Sequence, residues 1–293
     1  MSVDALRTPD DRFDGLLPYE PHYLDWNGLR LHYLDEGHGP TVMLFHGEPT
    51  WGYLYRKVAA VLLDAGLRVV VPDLPGFGRS DKPVDPAWYS YDRHTAAMRA
   101  VVEHLDLQDA TVVVQDWGGP IGLRLAVEHP DRFERLSILN TALFAGEGRM
   151  SEGFLRWRAL AERVDHLDIR RVMRRSMAHP WPDEVIAAYE APFPTPEHQA
   201  GADRFPLLVP MEPLDPGAAE MKATLAGLGS WERPTQVLFS TGDPVFGPGV
   251  GKRLADHIPG AGALETVEGG HFLQEDAGPQ VGAAIAAFLA ASA

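Results

Sequence analysis

The sequence predicts an α/β protein: a mostly parallel sheet with helices on both faces and an inserted helical cap. Three observations carry this. Short continuous apolar runs alternate with stretches of helical spacing through the first half of the chain, the pattern of strands buried on both faces. The alternation breaks from residue 145 to 230, where helical stretches and proline-rich loops contain no convincing strand. It then resumes for two more strands. An insertion between two strands of an otherwise complete sheet is most simply a cap over the carboxyl edge, because long connections inside compact domains usually have such a purpose. The predicted division is a core of residues 1–144 and 231–293 and a cap of residues 145–230.

The elements follow in order. Residues 23–26 and 29–34 read as two short strands joined at Asn27-Gly28, a dipeptide favoured in tight hairpins. Residues 41–45 form a continuous apolar strand that ends at His46-Gly47-Glu48-Pro49. Leu54, Val58, Val61 and Leu62 then fall at helical spacing over residues 51–65. A buried strand at 68–71 runs into Pro75-Gly76-Phe77-Gly78-Arg79-Ser80, which lacks the spacing and the Gly-Lys-Ser/Thr ending of a phosphate loop and reads as a structural turn. Residues 95–105 are helical, 110–114 form the central strand, 123–129 are helical and 136–139 form another strand. Beyond the cap, strands are expected at 236–239 and 264–267, and the apolar stretch 281–293 is a closing helix.

Bulk properties narrow the function. With 293 residues and 45% hydrophobic content, the chain can bury a large core. A formal charge of −15 argues against nucleic-acid or anionic-membrane partners, which would be repelled. No cysteine is present, so disulfide and thiolate chemistry are absent. Residues 1–20 carry no basic segment followed by an apolar run, and no apolar stretch approaches the ~20 residues that span a bilayer. A soluble, cytoplasmic protein is expected, with neither metal nor cofactor.

The chemistry centres on Gln115-Asp116-Trp117-Gly118-Gly119-Pro120. Asp116 falls where a buried strand ends and a helix opens. Glycines permit a tight, strained turn there, and proline is tolerated in a helix's first turn. A carboxylate near that helix N-terminus is favoured in its ionised form. An N-cap aspartate would look the same at this position. Two later residues shift the balance. Asp243, in Gly242-Asp243-Pro244, and His271, in Gly269-Gly270-His271-Phe272, also fall at strand ends. Nucleophile, acid, histidine is the chain order of the α/β-hydrolase triad, with aspartate in place of serine. An ionised carboxylate is already a nucleophile and suits attack on saturated carbon. The His46 loop matches the oxyanion loop of that fold, which makes the backbone N–H groups of Glu48 and Trp117 the expected oxyanion donors. His46 itself is expected to shape the loop rather than to catalyse.

At these residues the chain resembles the haloalkane dehalogenases, most closely the subfamily whose triad acid follows the later strand. The carriers are His46-Gly47-Glu48-Pro49-Thr50-Trp51, Gln115-Asp116-Trp117-Gly118-Gly119, Gly242-Asp243 and Gly270-His271-Phe272, with Ala191-Pro192-Phe193-Pro194 and Phe205-Pro206 in the cap. The similarity runs from about Tyr19 to the C-terminus. It implies that Asp116 displaces halide and leaves an alkyl-enzyme ester, and that His271, oriented by Asp243, then activates water. The partners would be a small halogenated hydrocarbon, water and halide ion. A departing halide needs donors, and an indole offers one N–H and nothing that repels an anion. Trp117 is the first candidate. The resemblance implies a second tryptophan from the cap, Trp157 by position, although Phe154, Trp157 and Leu160 equally fit an apolar packing stripe. Trp181, between two prolines, is a weaker rival and is expected to be structural. The chain departs from the general elbow in carrying Val114 two residues before the nucleophile, where that elbow has glycine. Asn140 occupies the place where the other subfamily carries its acid; an amide cannot serve, so Asp243 takes the role and Asn140 is expected to hydrogen-bond a turn.

Two rivals remain. Epoxide hydrolases share the aspartate nucleophile but draw two tyrosine hydroxyls from the cap, where this chain has Tyr189 alone. A non-catalytic small-molecule receptor on the same fold could keep the pocket while losing a triad member, whereas all three are present here. Fluoroacetate-type enzymes usually follow the nucleophile with arginines, and Trp117-Gly118-Gly119-Pro120 supplies none.

Overall fold

The computed structural model describes residues 3–292. Eight strands form one sheet: β1 (His22–Trp26), β2 (Leu29–Glu36), β3 (Thr41–Phe45), β4 (Arg68–Pro72), β5 (Ala110–Val114), β6 (Phe133–Leu139), β7 (Thr235–Ser240) and β8 (Glu265–Val267). Their spatial order is β8-β7-β6-β5-β3-β4-β2-β1. β2 runs antiparallel to β1 and β4, and the other neighbours pair in parallel. The mostly parallel α/β architecture is the one predicted. A two-residue pairing of Ala5–Leu6 with Lys82–Pro83, too short to leave a pattern in the sequence, lies outside the main sheet.

Register aligns the strands' carboxyl ends. Phe45 lies opposite Val114, Val114 opposite Ile138, and Ile138 opposite Val237. The loops that follow β3, β5, β6 and β7 therefore open at one edge, which is where open parallel sheets bind ligands. Every residue of β5 and of β7 is buried. Full burial of each valine in Val112-Val113-Val114 is worth roughly 1.5–3 kcal/mol, enough to anchor a strained turn at the strand's end.

Helices α1 (Arg56–Asp64), α2 (Tyr91–His104) and α3 (Gly118–Glu128) cover the first half of the sheet. Between β6 and β7 lie α4 (Glu152–Ala161), α5 (Ile169–Ser176), α6 (Asp183–Glu190), α7 (Ala200–Leu208) and α8 (Ala218–Leu228), with no strand among them. The last of these, α8, packs back on α3. The chain closes through α9 (Pro248–His257), α10 (Leu273–Asp276) and α11 (Gly278–Ala291).

Several boundaries differ from the sequence reading. A 3₁₀ turn at Gly52–Tyr55 precedes α1, so the helical spacing there spans two elements. The second helix starts at Tyr91, four residues earlier than expected, because the Ser90 side chain accepts from the Arg93 N–H and caps it. α3 starts directly after the elbow. Gly118 and Gly119 allow this: a Cβ at Gly118 would collide with the Phe45 carbonyl, and one at Gly119 with the Thr141 side chain. Helix propensity disfavours glycine, and close approach overrides it. The closing helix starts at Gly278 rather than 281, and residue 293 lies outside the described residues.

Candidate active site

The elbow after β5 holds Asp116 at φ +50°. A left-handed aspartate costs of order 1–3 kcal/mol, and the surroundings hold it there. Its N–H donates to the Asn140 carbonyl (3.0 Å), and its own carbonyl accepts from Gly119 N–H (2.9 Å) and from the Thr141 hydroxyl (2.6 Å). The side chain is thereby turned out of the backbone line toward the sheet edge. Glu48 N–H, from the loop after β3, donates to Asp116 Oδ1 at 2.8 Å. A Cβ at Gly47 would strike the Asp116 carboxylate, so that loop can approach only without a side chain there.

His271 and Asp243 complete a line of three groups. His271 Nδ1 lies 2.9 Å from Asp243 Oδ2, and His271 Nε2 lies 3.5 Å from Asp116 Oδ2. Asp243 Oδ1 accepts from Val245 N–H at 2.7 Å, which orients the acid. Phe272 packs edge-on to the imidazole at 4.7 Å, and the Phe246 ring lies tilted to it at 5.8 Å. Burial alone would lower the His271 pKa. The Asp243 carboxylate, with Asp116 adding to it, overcomes that and pushes it up to about 10. Burial would likewise raise Asp243, but the His271 cation and backbone donors hold it below the ordinary carboxylate range.

Two further side chains support this line, and motif reading did not single out either role. The Gln115 amide Nε2 lies 3.2 Å from His271 Nε2 and donates to the His271 carbonyl at 3.3 Å. Asn140, at the end of β6, accepts from Ser240 N–H and donates toward Ser240 Oγ and the carbonyls of Gly270 and His271. It ties β7 to the histidine loop, a larger task than the turn role expected of it. No sequence signal separates Gln115 from any other residue beside an elbow. His46 is fully buried; its Nε2 accepts from Leu74 N–H and its Nδ1 bonds the Gly47 carbonyl, so it shapes the loop as expected.

Glu48 was singled out for its backbone alone, yet its side chain also faces the site. It is 5% exposed, and its Oε1 has no hydrogen-bond partner. Burial first, and the Asp116 charge second, raise its carboxyl well above the ordinary range.

A cavity of about 740 Å³ opens over these groups, lined by Asp116, Glu48 and His271 below and by α4 and α5 above. Trp117 and Trp157 both line it, as do Phe154 and Leu160. The apolar stripe of α4 is thus part of the cavity wall. Neither indole N–H donates to a protein group among the described residues. By contrast, the Trp51 indole donates to the Ala188 carbonyl and that of Trp181 to Asp276. Among the described residues no cluster of potential metal ligands occurs, and no helix is long and apolar enough to cross a membrane.

Comparison with known proteins decides the family. The chain is 43% identical to a haloalkane dehalogenase of Psychrobacter cryohalolentis over 98% of both chains, and 44% identical to one of Mycolicibacterium paratuberculosis over 95% and 96%. It belongs to the haloalkane dehalogenase family. Residues 40–175 match the family described as the alpha/beta hydrolase fold. Among solved structures, a haloalkane dehalogenase of Paraglaciecola agarilytica superposes with a TM-score of 0.90 at 35% identity, covering 96% of this chain and 97% of that one. That family member is described as tetrameric.

Proposed function

We propose that this chain hydrolyses a carbon–halogen bond at a saturated carbon, through a covalent ester on Asp116, to give alcohol, halide and a proton. The observation that carries the reading is the orientation of the Asp116 carboxylate. Oδ1 is held by an oxyanion donor, whereas Oδ2 faces the histidine at the floor of the cavity. In the first half Oδ2 attacks the carbon, a C–O bond forms, and the carbon–halogen bond breaks with its electron pair leaving as halide. The free indole N–H groups of Trp117 and Trp157 replace the water that the halide would otherwise bind.

Esterification removes the Asp116 charge, and with it part of what raises the His271 pKa. His271 then gives up a proton to solvent, which is the proton the reaction releases, and becomes a base, with Asp243 holding its Nδ1–H. It takes a proton from water, and the water oxygen bonds Cγ of the ester. The former Oδ1 carries the developing negative charge toward Glu48 N–H. Collapse breaks the bond from Cγ to the alkyl oxygen, and that oxygen takes the remaining proton of the added water, which releases the alcohol and restores the carboxylate. The nucleophile thus sets the timing of its own hydrolysis.

The same reading treats residues 145–230 as the cap and the remainder as the core, with α8 as the strut that returns the cap to the sheet. Against an epoxide hydrolase, the Tyr189 hydroxyl is fully buried, donates to Glu275 at 2.8 Å and does not line the cavity. Incubation with 1,2-dibromoethane while bromide and pH are followed tests the proposal. Bromide release above background, with acidification, is expected. Diol formation from styrene oxide without bromide release would overturn it.

A further inference from the structure

On α5, four arginines divide between two faces. Arg170 pairs with Glu190 and Arg174 with Asp183, each on the stripe of an i, i+4 pair. The neighbouring stripe holds Arg171 and Arg175, which line the mouth of the cavity, together with Arg163 from the loop before α5. All three are exposed, and none has an acidic partner among the described residues. Acids outnumber bases by 41 to 26 in this chain, so unpaired guanidinium groups gathered at one opening call for a reason.

The other charges facing that opening do not cancel them. Arg156 adds a fourth cation, loosely paired with Glu152 at 3.4 Å. Asp168 also lines the mouth, but its carboxylate is turned to the Arg171 backbone N–H as the cap of α5. His166 is engaged by Asp203, and Glu162 by Arg158. Below this rim the wall is apolar, with the half-buried Leu160 and Val245 and the buried Val172 before the Asp116 floor. The cavity is therefore amphiphilic along its depth: carboxylate nucleophile, apolar middle, cationic lip. A volume of about 740 Å³ lies in the range of ~300–1,000 Å³ that encloses drug-sized molecules, far more than a two-carbon haloalkane fills.

We propose that the arginine lip recognises an anionic head group, and that the preferred substrates are medium-length chains with halogen at one end and a carboxylate at the other. This rests on the dehalogenase reading and names its substrate class. An α-halogenated acid does not fit, because it would bring its carboxylate beside Asp116, where no arginine stands. An ω-halogenated acid places its charge at the lip and its reacting carbon at the floor. The overall charge of −15 repels anions at long range, and a cleft lined with the opposite sign reverses that locally and raises encounter rates.

The test compares bromide release from 8-bromooctanoate and from the neutral 8-bromooctan-1-ol. At low salt the acid is expected to show a kcat/KM about tenfold higher, within the span that charged clefts produce. About 1 M salt, where the screening length falls to ~3 Å, should abolish the difference. In the combined Arg163→Gln, Arg171→Gln, Arg175→Gln variant the acid-to-alcohol ratio should fall to near one. No acid preference in the wild type, or a preference that survives the triple substitution, overturns the proposal, including the case in which the arginines only speed halide departure. Binding of octanoate against octanol, followed by tryptophan fluorescence, separates the two layers. Arginine-dependent octanoate binding without bromide release from either bromide means that the dehalogenase reading has failed and the anion site stands. Octanoate binding that is absent or indifferent to the arginines sinks the site itself.

Discussion

Asn140→Ala tests how the fold holds the histidine. The side chain is fully buried. Its Oδ1 accepts from Ser240 N–H at 2.8 Å; its Nδ2 reaches Ser240 Oγ at 2.8 Å and the Gly270 and His271 carbonyls at 3.1 Å each. An amide nitrogen has two protons, so these contacts amount to three full hydrogen bonds. At about 1 kcal/mol apiece their loss costs about 3 kcal/mol, before the penalty for leaving Ser240 N–H buried without an acceptor. For a chain of 293 residues, at about 2.1 cal/mol/K of unfolding entropy per residue, that corresponds to a fall in melting temperature of roughly 5 °C. Urea denaturation should show a lower midpoint at an unchanged slope. Turnover should fall further than halide binding, because the released loop carries His271 while both tryptophans stay in place. A loss of stability under about 1 kcal/mol with undiminished turnover would refute the reasoning.

Three more outcomes are expected. His271→Phe should release one equivalent of halide and stall as an adduct on Asp116; halide release with no added alkyl mass by mass spectrometry would count against a carboxylate nucleophile. Trp157→Phe should weaken chloride binding and slow the first half-reaction, and unchanged chloride affinity would return Trp157 to a packing role. Glu48→Gln should alter stability in a pH-dependent way. Burial and Asp116 raise the Glu48 carboxyl in the folded state, whereas the unfolded chain releases that proton near pH ~4.3. The wild type therefore loses stability as pH climbs above that value until the folded pKa is passed. The variant should match it below pH ~4 and exceed it increasingly toward neutrality; a difference independent of pH is the contrary result.

The strands and the elbow were legible because their signals are local. Apolar runs of four or five residues mark the buried strands, and Asp116 followed by paired glycines marks a turn that few other sequences make. Helix starts were misplaced where something other than the apolar repeat decides them, a local cap for α2 and a long-range contact for α3. Ser90 caps α2 ahead of its apolar repeat, and α3 opens on glycines that helix propensity disfavours but the Phe45 carbonyl requires. Gln115 and the Glu48 side chain drew no attention because their roles arise from neighbours far away in the chain, 156 residues on for Gln115 and His271.

The sequence by itself determined the sheet, the inserted helical stretch and the order of Asp116, Asp243 and His271, since alternation and turn chemistry are written in adjacent residues. Tertiary structure alone decided that the Glu48 carboxyl is raised, which indoles remain free, and which arginines of α5 turn toward the cavity. Those depend on burial and on distances between segments remote in the chain, and neither quantity exists until the sheet's carboxyl edge and the cap close over one another.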